Sequence, residues 1–239
     1  MIGRQPRRAA LLAEHMSRPA AASRLAPSWR LLALALVLLL GAALAAADFD
    51  RLQRLARERY GSVAEETVQA WRRLVAEQRG RPVEEQLAAV NTFFNRRLLY
   101  ELDPVVWGQA DHWATPLEFI GRGAGDCEDF AIAKYVTLLE LGVPDERLRL
   151  IYVRARTAGA KTEAHMVLGY YEDPAEEPLI LDNLITSVRP ASRRPDLTPV
   201  FSFNRQGLWV AGQAQSAADP TARLSRWREV LERMRQEGL

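Results

Sequence analysis

Three residues in the second half of the 239-residue sequence have the types that a nucleophilic catalytic site needs. Cys127 follows the glycine-rich segment Gly121–Gly125, and His165 and Asp182 come later in the chain. A cysteine nucleophile needs a base that takes its proton, and the base needs a group that orients it. Cys127, His165 and Asp182 can fill these roles, so their combination predicts a cysteine-based acyl-transfer or hydrolytic site.

The surroundings of Cys127 favour this interpretation in part. A helix is predicted from about Cys127 to Leu141, and the free N–H groups and dipole at a helix N-terminus lower a thiol pKa. The Cys127 N–H can also donate to an oxyanion, whereas no second donor stands out. The alternative role of a lone cysteine is that of a small buried hydrophobe. Because there is no other cysteine, an intramolecular disulfide and a multi-cysteine metal site are excluded.

Three carboxylates flank Cys127 in the sequence GDCED, and they have the opposite effect. If Asp126, Glu128 and Asp129 stay charged, they raise the thiol pKa. One explanation is that Asp126 caps the helix and that the other two favour the helix dipole. A second explanation is a bound hard cation, because Ca²⁺ accepts clustered carboxylates and neutralises them. The spacing is not that of an EF-hand loop.

His165 and Asp182 lie on two predicted strands, Ala164–Tyr171 and Pro178–Asn183. If these strands form a hairpin that is symmetric about Asp173–Pro174, His165 lies directly opposite Asp182. Directly opposed side chains have Cβ atoms about 5 Å apart, which suits an imidazole–carboxylate hydrogen bond. The sequence therefore predicts a His165–Asp182 pair on one face of a sheet.

Hydrophobic spacing and turn residues predict the other elements. The predicted helices cover 48–60, 63–79, 83–100, 116–120 and 127–141, the strands cover 148–154, 164–171 and 178–183, a hairpin covers 200–210, and a last helix follows 219–220. Helices followed by an antiparallel sheet indicate an α+β fold.

The first 47 residues have the pattern of a secretory signal peptide. Arg24 and Arg30 precede the apolar run Leu31–Ala47, which ends in three alanines that suit cleavage after Ala47. The run is at the short end for a membrane span, so a retained anchor is the alternative. Met16 is a second candidate start. We expect residues 48–239 to form one exported domain in a bacterial periplasm.

Composition excludes other function classes. The chain has a formal net charge of +2 and a pI near 8.9, but residues 48–239 hold three more acidic than basic residues. The basic excess belongs to the leader, which argues against nucleic acid as a partner. With three histidines, one of them in the leader, the sequence has too few ligands for a histidine-rich metal centre.

Four segments together resemble the bacterial transglutaminase-like cysteine proteinases, in particular their periplasmic members. The segments are DHWATPLEFIGRGAGDCEDFAIAKY, EAHMVLGYY, LILDNL and FSFNRQGLW, between about Phe93 and Trp209. The resemblance implies a papain/transglutaminase-like α+β core with the catalytic cysteine at a helix N-terminus. It also implies a catalytic triad and a calcium site, which fall on Cys127, His165 and Asp182 and on Asp126, Glu128 and Asp129.

The same resemblance implies a biological role. Members of this family cleave the N-terminal region of a large surface adhesin at a double-alanine site, which releases the adhesin and disperses biofilm. An inner-membrane receptor of the LapD type sequesters the protease when the receptor binds cyclic di-GMP in the cytoplasm. The adhesin and the receptor are therefore the expected partners.

Three other functions remain open at the level of sequence. A transglutaminase or amidase could use the same triad, but acyl transfer to an amine needs a site that admits amines and excludes water. A calcium-dependent binding module with a vestigial triad is a second alternative. A thiol redox sensor is a third, and it would need a partner thiol because the chain has no resolving cysteine.

Overall fold

The structure is a computed structural model that describes residues 47–156, 161–211, 213 and 215–239. The predicted signal peptide and its alternatives, an anchor and a start at Met16, lie outside the described residues except for Ala47. Among the residues that are described, no helix is both long enough and apolar enough to cross a membrane.

The first part of the described chain is helical, as predicted. Its helices are α1 (Phe49–Tyr60), α2 (Ser62–Gln78), α3 (Val83–Arg97), α4 (Asp103–Val106), α5 (Pro116–Arg122) and α6 (Cys127–Glu140). On α2, Val68, Trp71 and Val75 are buried at helical spacing, so this helix packs one face on the core. Helix α6 is buried on nearly all sides and forms the centre of the fold.

Local sequence signals explain how α5 ends close to the start of α6. Thr115 Oγ1 accepts the N–H of Glu118, and the Glu118 carboxylate accepts the N–H of Thr115, which is a capping box. Gly123 ends α5 with φ +72°, a conformation that other residues rarely adopt. The two-residue strand β2 (Ala124–Gly125) then leads through one residue into Cys127.

The strands form a small parallel sheet and a large antiparallel sheet. Strand β1 (Leu99–Tyr100) pairs with β2 in parallel. The large sheet has the order β6-β5-β4-β3-β7-β8. Its strands are β3 (Leu148–Arg156), β4 (Thr162–Tyr170), β5 (Leu179–Leu181), β6 (Arg189–Pro190), β7 (Leu197–Phe203) and β8 (Leu208–Val210). Helices followed by an antiparallel sheet confirm the predicted α+β class.

The two faces of the large sheet are buried unequally. Leu150, Met166 and Leu168 belong to the main core together with the apolar residues of α6. Val153 and Val167, which point to the opposite face, belong to a separate and smaller apolar cluster. The main core therefore fixes α6 against β3 and β4, and this packing brings the start of α6 next to β4.

The C-terminal helix differs from the prediction of one continuous helix. It is divided into α7 (Pro220–Arg223) and α8 (Ser225–Glu237), because Leu224 between them has an extended backbone. Trp227 and Met234 are buried. The break turns α8 so that Trp227 packs edge-to-face on aromatic rings of the core.

Candidate active site

The predicted contact between His165 and Asp182 is present. His165 Nε2 lies 2.8 Å from Asp182 Oδ1, and both side chains are buried. The predicted register is wrong by two residues, because Leu168 pairs with Leu181 and Asp182 therefore falls opposite Val167. The turn between the strands is not symmetric about Asp173–Pro174. A shift of two residues keeps a side chain on the same face of a strand, so the pair still forms across a diagonal.

Both carboxylate oxygens of Asp182 are hydrogen-bonded. Oδ1 accepts from His165 and from the Leu184 N–H at 3.1 Å, and Oδ2 accepts from Arg194 Nη2 at 2.7 Å. Asn95 Nδ2 fixes the backbone by donating to the Asp182 carbonyl oxygen at 2.7 Å. Burial alone would raise the pKa of Asp182, but these partners outweigh it and lower the pKa to about 2. Asp182 is therefore ionised at neutral pH.

Arg194 is a member of this site that sequence analysis missed. Its side chain is buried, and its guanidinium also contacts Asp196, with Nη2 to Oδ2 at 2.8 Å and Nε to Oδ1 at 3.0 Å. One planar donor group thus bridges two carboxylates, which suits arginine better than lysine. The segment around Arg194 has no hydrophobic period, and several other arginines precede it, so the sequence gives no signal for this one.

Cys127 begins α6, as predicted, and its thiol is buried. Sγ lies 2.9 Å from Glu128 Oε2, and the backbone N–H of Met166, the residue after His165, lies close enough to act on the thiol pKa. Burial raises the thiol pKa first, the charges of Glu128 and Asp126 raise it further, and the Met166 N–H acts in the opposite sense. In the absence of a cation, the thiol is therefore strongly held in its neutral form.

The contact with Asp182 occupies one of the two imidazole nitrogens of His165. Nε2 is held by the ionised Asp182 carboxylate, which fixes the proton on that nitrogen. Nδ1 is then the unprotonated nitrogen and the group able to accept a proton. The three predicted catalytic residues lie at the first position of α6, on β4 and directly after β5.

The acidic residues around Cys127 form a cluster that extends further than predicted. Carboxylate oxygens of Asp103, Asp126 and Asp129 lie within 4.8 Å of one another, and an overlapping group joins Asp103, Asp111 and Glu128 at the same limit. Asp103 and Asp111 were not predicted, because they come from the segment around α4, more than ten residues before GDCED. The three predicted metal ligands are thus brought together with two additional acids.

This acid cluster, which consists of Asp103, Asp111, Asp126, Glu128 and Asp129, holds buried oxygens without partners. Among the described residues, Asp103 Oδ1, Asp126 Oδ1 and Asp129 Oδ2 have no hydrogen-bond donor. Burial and neighbouring acids raise the pKa of Asp126 to about 10, and the pKa values of Asp103, Glu128 and Asp129 are also raised, above all by burial. Clustered carboxylate oxygens that lack donors are the ligands that a hard cation prefers, so the residues fit such an ion.

The explanation of Asp126 as a helix cap is wrong. Asp126 occupies the N-cap position of α6, but its side chain makes no capping hydrogen bond. Other contacts hold the cluster in place. The Ala114 N–H donates to Asp129 Oδ1 at 2.7 Å, and the His112 N–H donates to Asp103 Oδ2. A Cβ atom on Gly125 would lie 2.2 Å from Asp129 Oδ2, so only glycine allows β2 to pass this close.

Comparisons with known proteins find similar solved structures. Legionella pneumophila LapG is similar to the chain at 42% identity and a TM-score of 0.68, over 79% of this chain and 98% of LapG. EGTA-treated LapG gives 42% identity and a TM-score of 0.70 over the same shares. Calcium-bound LapG gives 43% identity and a TM-score of 0.68, over 78% of this chain and 98% of LapG. A comparison with curated protein sequences finds no match.

A protein family also matches the sequence directly. The match is to the bacterial transglutaminase-like cysteine proteinases and covers residues 62–212, which is more than half of the chain. Together with the LapG structures, it confirms the predicted transglutaminase-like fold. The chain therefore belongs to the bacterial transglutaminase-like cysteine proteinase family and is a cysteine peptidase.

Proposed function

We propose that the chain is a periplasmic, calcium-dependent cysteine endopeptidase that cleaves the N-terminal region of a large surface adhesin at a double-alanine site. Cleavage would release the adhesin and disperse biofilm. The observation that carries the proposed chemistry is the buried His165–Asp182 pair, 2.8 Å apart, in a chain whose one cysteine begins α6. The similarity to LapG over 98% of its length supports the same kind of reaction.

In the proposed first half-reaction, His165 Nδ1 takes the proton of Cys127 Sγ. Asp182 orients the imidazole and stabilises the imidazolium that forms. Sγ attacks the scissile carbonyl carbon, and the carbonyl π electrons move to the oxygen. The Cys127 N–H at the free N-terminus of α6 donates to this oxyanion.

In the proposed second half-reaction, the tetrahedral intermediate collapses and its C–N bond breaks. The leaving amine takes the proton from His165, and the acyl group stays on Sγ as a thioester. Water then gives a proton to His165 and attacks the thioester carbonyl. The C–S bond breaks, the thiolate takes the proton back from His165, and the peptide leaves as a carboxylic acid that ionises by releasing its proton to solvent.

Arg194 acts in this proposal as a positioning residue, since it contacts neither the thiol nor the imidazole. Its Nη2 donates to Asp182 Oδ2, the oxygen that does not contact His165. This hydrogen bond helps to keep the pKa of Asp182 low and fixes the orientation of the carboxylate. Asp196 in turn holds the other side of the guanidinium. The chain thus supports the catalytic pair entirely with its own atoms.

The acid cluster is the proposed calcium site, with Asp103, Asp126, Glu128 and Asp129 as the ligands and Asp111 beside them. Its unpaired buried oxygens and the calcium-bound structure of LapG support this assignment. When bound, Ca²⁺ would neutralise the carboxylates whose charge raises the pKa of the neighbouring thiol. We further propose that a cyclic di-GMP receptor of the LapD type sequesters the protease, as the resemblance implies.

Product masses test the proposed reaction. Residues 48–239 are incubated with an adhesin fragment that carries the paired alanines, with calcium, with a chelator, and as Cys127→Ala. We expect one cut after the second alanine, lost in Cys127→Ala and lost on chelation, and no cut when both alanines are replaced by leucine. Coupling of the fragment to an added amine would instead indicate a transglutaminase. A folded protein that binds the fragment but never cuts it would indicate a binding module.

Export is tested separately from the reaction. We expect the full-length chain, expressed in a Gram-negative host, to appear in the periplasmic fraction with Asp48 as its first residue. Recovery with residues 31–47 intact in the membrane fraction would favour the retained anchor instead.

A further inference from the structure

We infer that the peptide substrate binds as an extended strand along the open edge of β1 and pairs with the backbone of Tyr100. This inference rests on the proposed peptidase function and names the surface that holds the substrate beside the thiol. The occupant is the segment of the substrate that contains the scissile bond.

The first observation is the direction of the backbone groups in β1. The Leu99 N–H donates to the Gly123 carbonyl oxygen at 3.0 Å, and the Glu101 N–H donates to the Gly125 carbonyl oxygen at 2.9 Å. Alternate residues of a strand direct their N–H and C=O groups to opposite edges. The N–H and C=O of Tyr100 therefore face the other edge, where β1 has no partner strand among the described residues.

The second observation is the place of this edge relative to the catalytic residues. Tyr100 pairs with Gly125, which is two residues before Cys127. The pKa of Tyr100 is raised to about 12, first by burial and then by the charges of Cys127 and of nearby carboxylates, including Glu163 on β4. Glu163 precedes His165 by two residues and shares its face of β4. Through the pairing of Tyr100 with Gly125, the open edge of β1 lies close in the fold to the start of α6.

The third observation is the apolar surface around the same edge. Leu99 is 72% exposed and Tyr100 is 52% exposed, and Leu102 and Val105 further along the segment are also exposed. Leu184, two residues after Asp182, is a further exposed apolar residue, held near the end of α3 by the Asn95–Asp182 hydrogen bond. Exposed apolar side chains this close in sequence to an open strand edge suit a binding surface.

A peptide strand bound at this edge would account for all three observations. Its backbone would pair with the free N–H and C=O of Tyr100, and its alternate side chains would cover the apolar surface, as in other cases of strand addition. A strand rises about 3.3 Å per residue, so the residue paired with Tyr100 lies only a few residues from the carbonyl that Sγ attacks. Alanines near the scissile bond have no bulk that would hold the peptide away from this edge.

Tyr100→Pro removes the N–H that faces the open edge and leaves intact the Leu99 and Glu101 N–H groups that bond to β2. We expect it to raise KM at least about 10-fold, as loss of a hydrogen bond predicts. Tyr100→Phe keeps the backbone N–H and the ring, and it is the matched control, so its KM should rise much less than that of Tyr100→Pro. Equal rates of Cys127 alkylation by iodoacetamide in the three proteins would show that the thiol site is intact.

Substrate peptides that are N-methylated at one residue at a time test the pairing from the other side. In the wild type, we expect methylation of one residue to weaken cleavage about 10-fold or more, and in Tyr100→Pro the same methylation should have little further effect. Independent effects of the two changes, or wild-type KM for Tyr100→Pro, would overturn the inference. If Tyr100→Pro does not fold, the same methylation series is run on Tyr100→Gly. This variant keeps the N–H and C=O of residue 100, so cleavage should stay sensitive to the same methylation, and loss of that sensitivity would overturn the inference.

Binding of a fluorescent substrate peptide to Cys127→Ala separates this inference from the proposed function. We expect binding that Tyr100→Pro weakens in the Cys127→Ala background. If the wild type never cleaves the peptide but this dependence holds, the peptidase proposal fails while the docking edge stands. If cleavage occurs but binding does not depend on Tyr100, the docking edge fails alone.

Discussion

Two groups of ionisable residues make up the candidate active site, and they differ in how far the chain itself completes them. In the catalytic pair, both oxygens of Asp182 have donors, and the pKa of this carboxyl is lowered to about 2. In the acid cluster, Asp126 and its neighbours keep oxygens without donors, and the pKa of Asp126 is raised to about 10. Burial by itself raises the carboxyl pKa of both Asp182 and Asp126.

The difference therefore comes from the partners and not from burial. Asp182 has Arg194 and His165 within hydrogen-bond distance, and these outweigh the cost of desolvation. Asp126 faces only other acids, which add to that cost. We conclude that the catalytic pair is preorganised by the chain alone, whereas the acid cluster reaches its working state only with a cation.

The largest effect is expected from Asp182→Asn. The amide can present its NH₂ group to the imidazole, which favours the wrong tautomer, and kcat should fall by about 10³- to 10⁴-fold. Calcium affinity should not change, because Asp182 is not part of the acid cluster. Steady-state kinetics at saturating calcium measure the first effect, and a loss of less than tenfold would remove Asp182 from the triad.

A smaller effect, which depends on the calcium concentration, is expected from Asp103→Asn. This change removes one ligand charge from the acid cluster and should raise the calcium concentration for half-maximal cleavage by about 10- to 100-fold. Because the catalytic pair is untouched, kcat at saturating calcium should stay near the wild-type value. A calcium-independent loss of kcat would instead place Asp103 in the catalytic machinery.

Arg194→Met should lower kcat by about 10- to 100-fold, the effect of losing a hydrogen bond to a charged group. Without its Arg194 partner, the pKa of Asp182 rises, so the acidic limb of the kcat/KM profile should move to higher pH. Arg194→Lys restores the charge but not the two-sided contact, and it should recover only part of the rate. Asp196→Asn is the matched control with a smaller loss. An unshifted pH profile would mean that Arg194 has only a structural role.

The smallest effect is on the stability of the calcium-free protein. Asp126 has a folded pKa of about 10, above its ordinary 3.8, so its contribution to stability is lost as the pH rises between these values. Asp182 has a folded pKa of about 2, so its contribution is lost only as the pH falls from 3.8 through 2.

Thermal unfolding with a chelator should therefore give a Tm higher at pH 5 than at pH 8, by about 5 °C. Asp126→Asn should reduce this difference, and added calcium should remove or reverse it. A Tm that stays equal at the two pH values in the calcium-free protein would contradict the unpaired state of the acid cluster.

The sequence predicted those parts of the site that depend on local signals. Cys127 follows a glycine turn, which explains why the start of α6 was predicted correctly. His165 and Asp182 were predicted to meet because their predicted strands are neighbours. The register was predicted wrongly, because it depends on the turn between the strands, and this turn is not symmetric. The α+β class followed from the change in hydrophobic spacing between the two halves.

Arg194 and Asp103 escaped prediction for a common reason. Each lies outside a long helix or strand, in a segment with no hydrophobic period, and is brought to the site only by tertiary packing. No spacing rule connects Asp103 with GDCED or Arg194 with Asp182. The short elements α4, β1, β2 and β6 were missed in the same way, because two to four residues carry too little pattern.

Calorimetric titration of calcium into chelator-stripped residues 48–239 tests the difference between the two groups most directly. The wild type and Asp182→Asn should bind calcium with the same affinity, and Asp103→Asn should bind at least about 10-fold more weakly. This result would show that the acid cluster takes the cation and that the catalytic pair is separate from it. No binding by the wild type, or equal binding by Asp103→Asn, would contradict a cation site in the acid cluster.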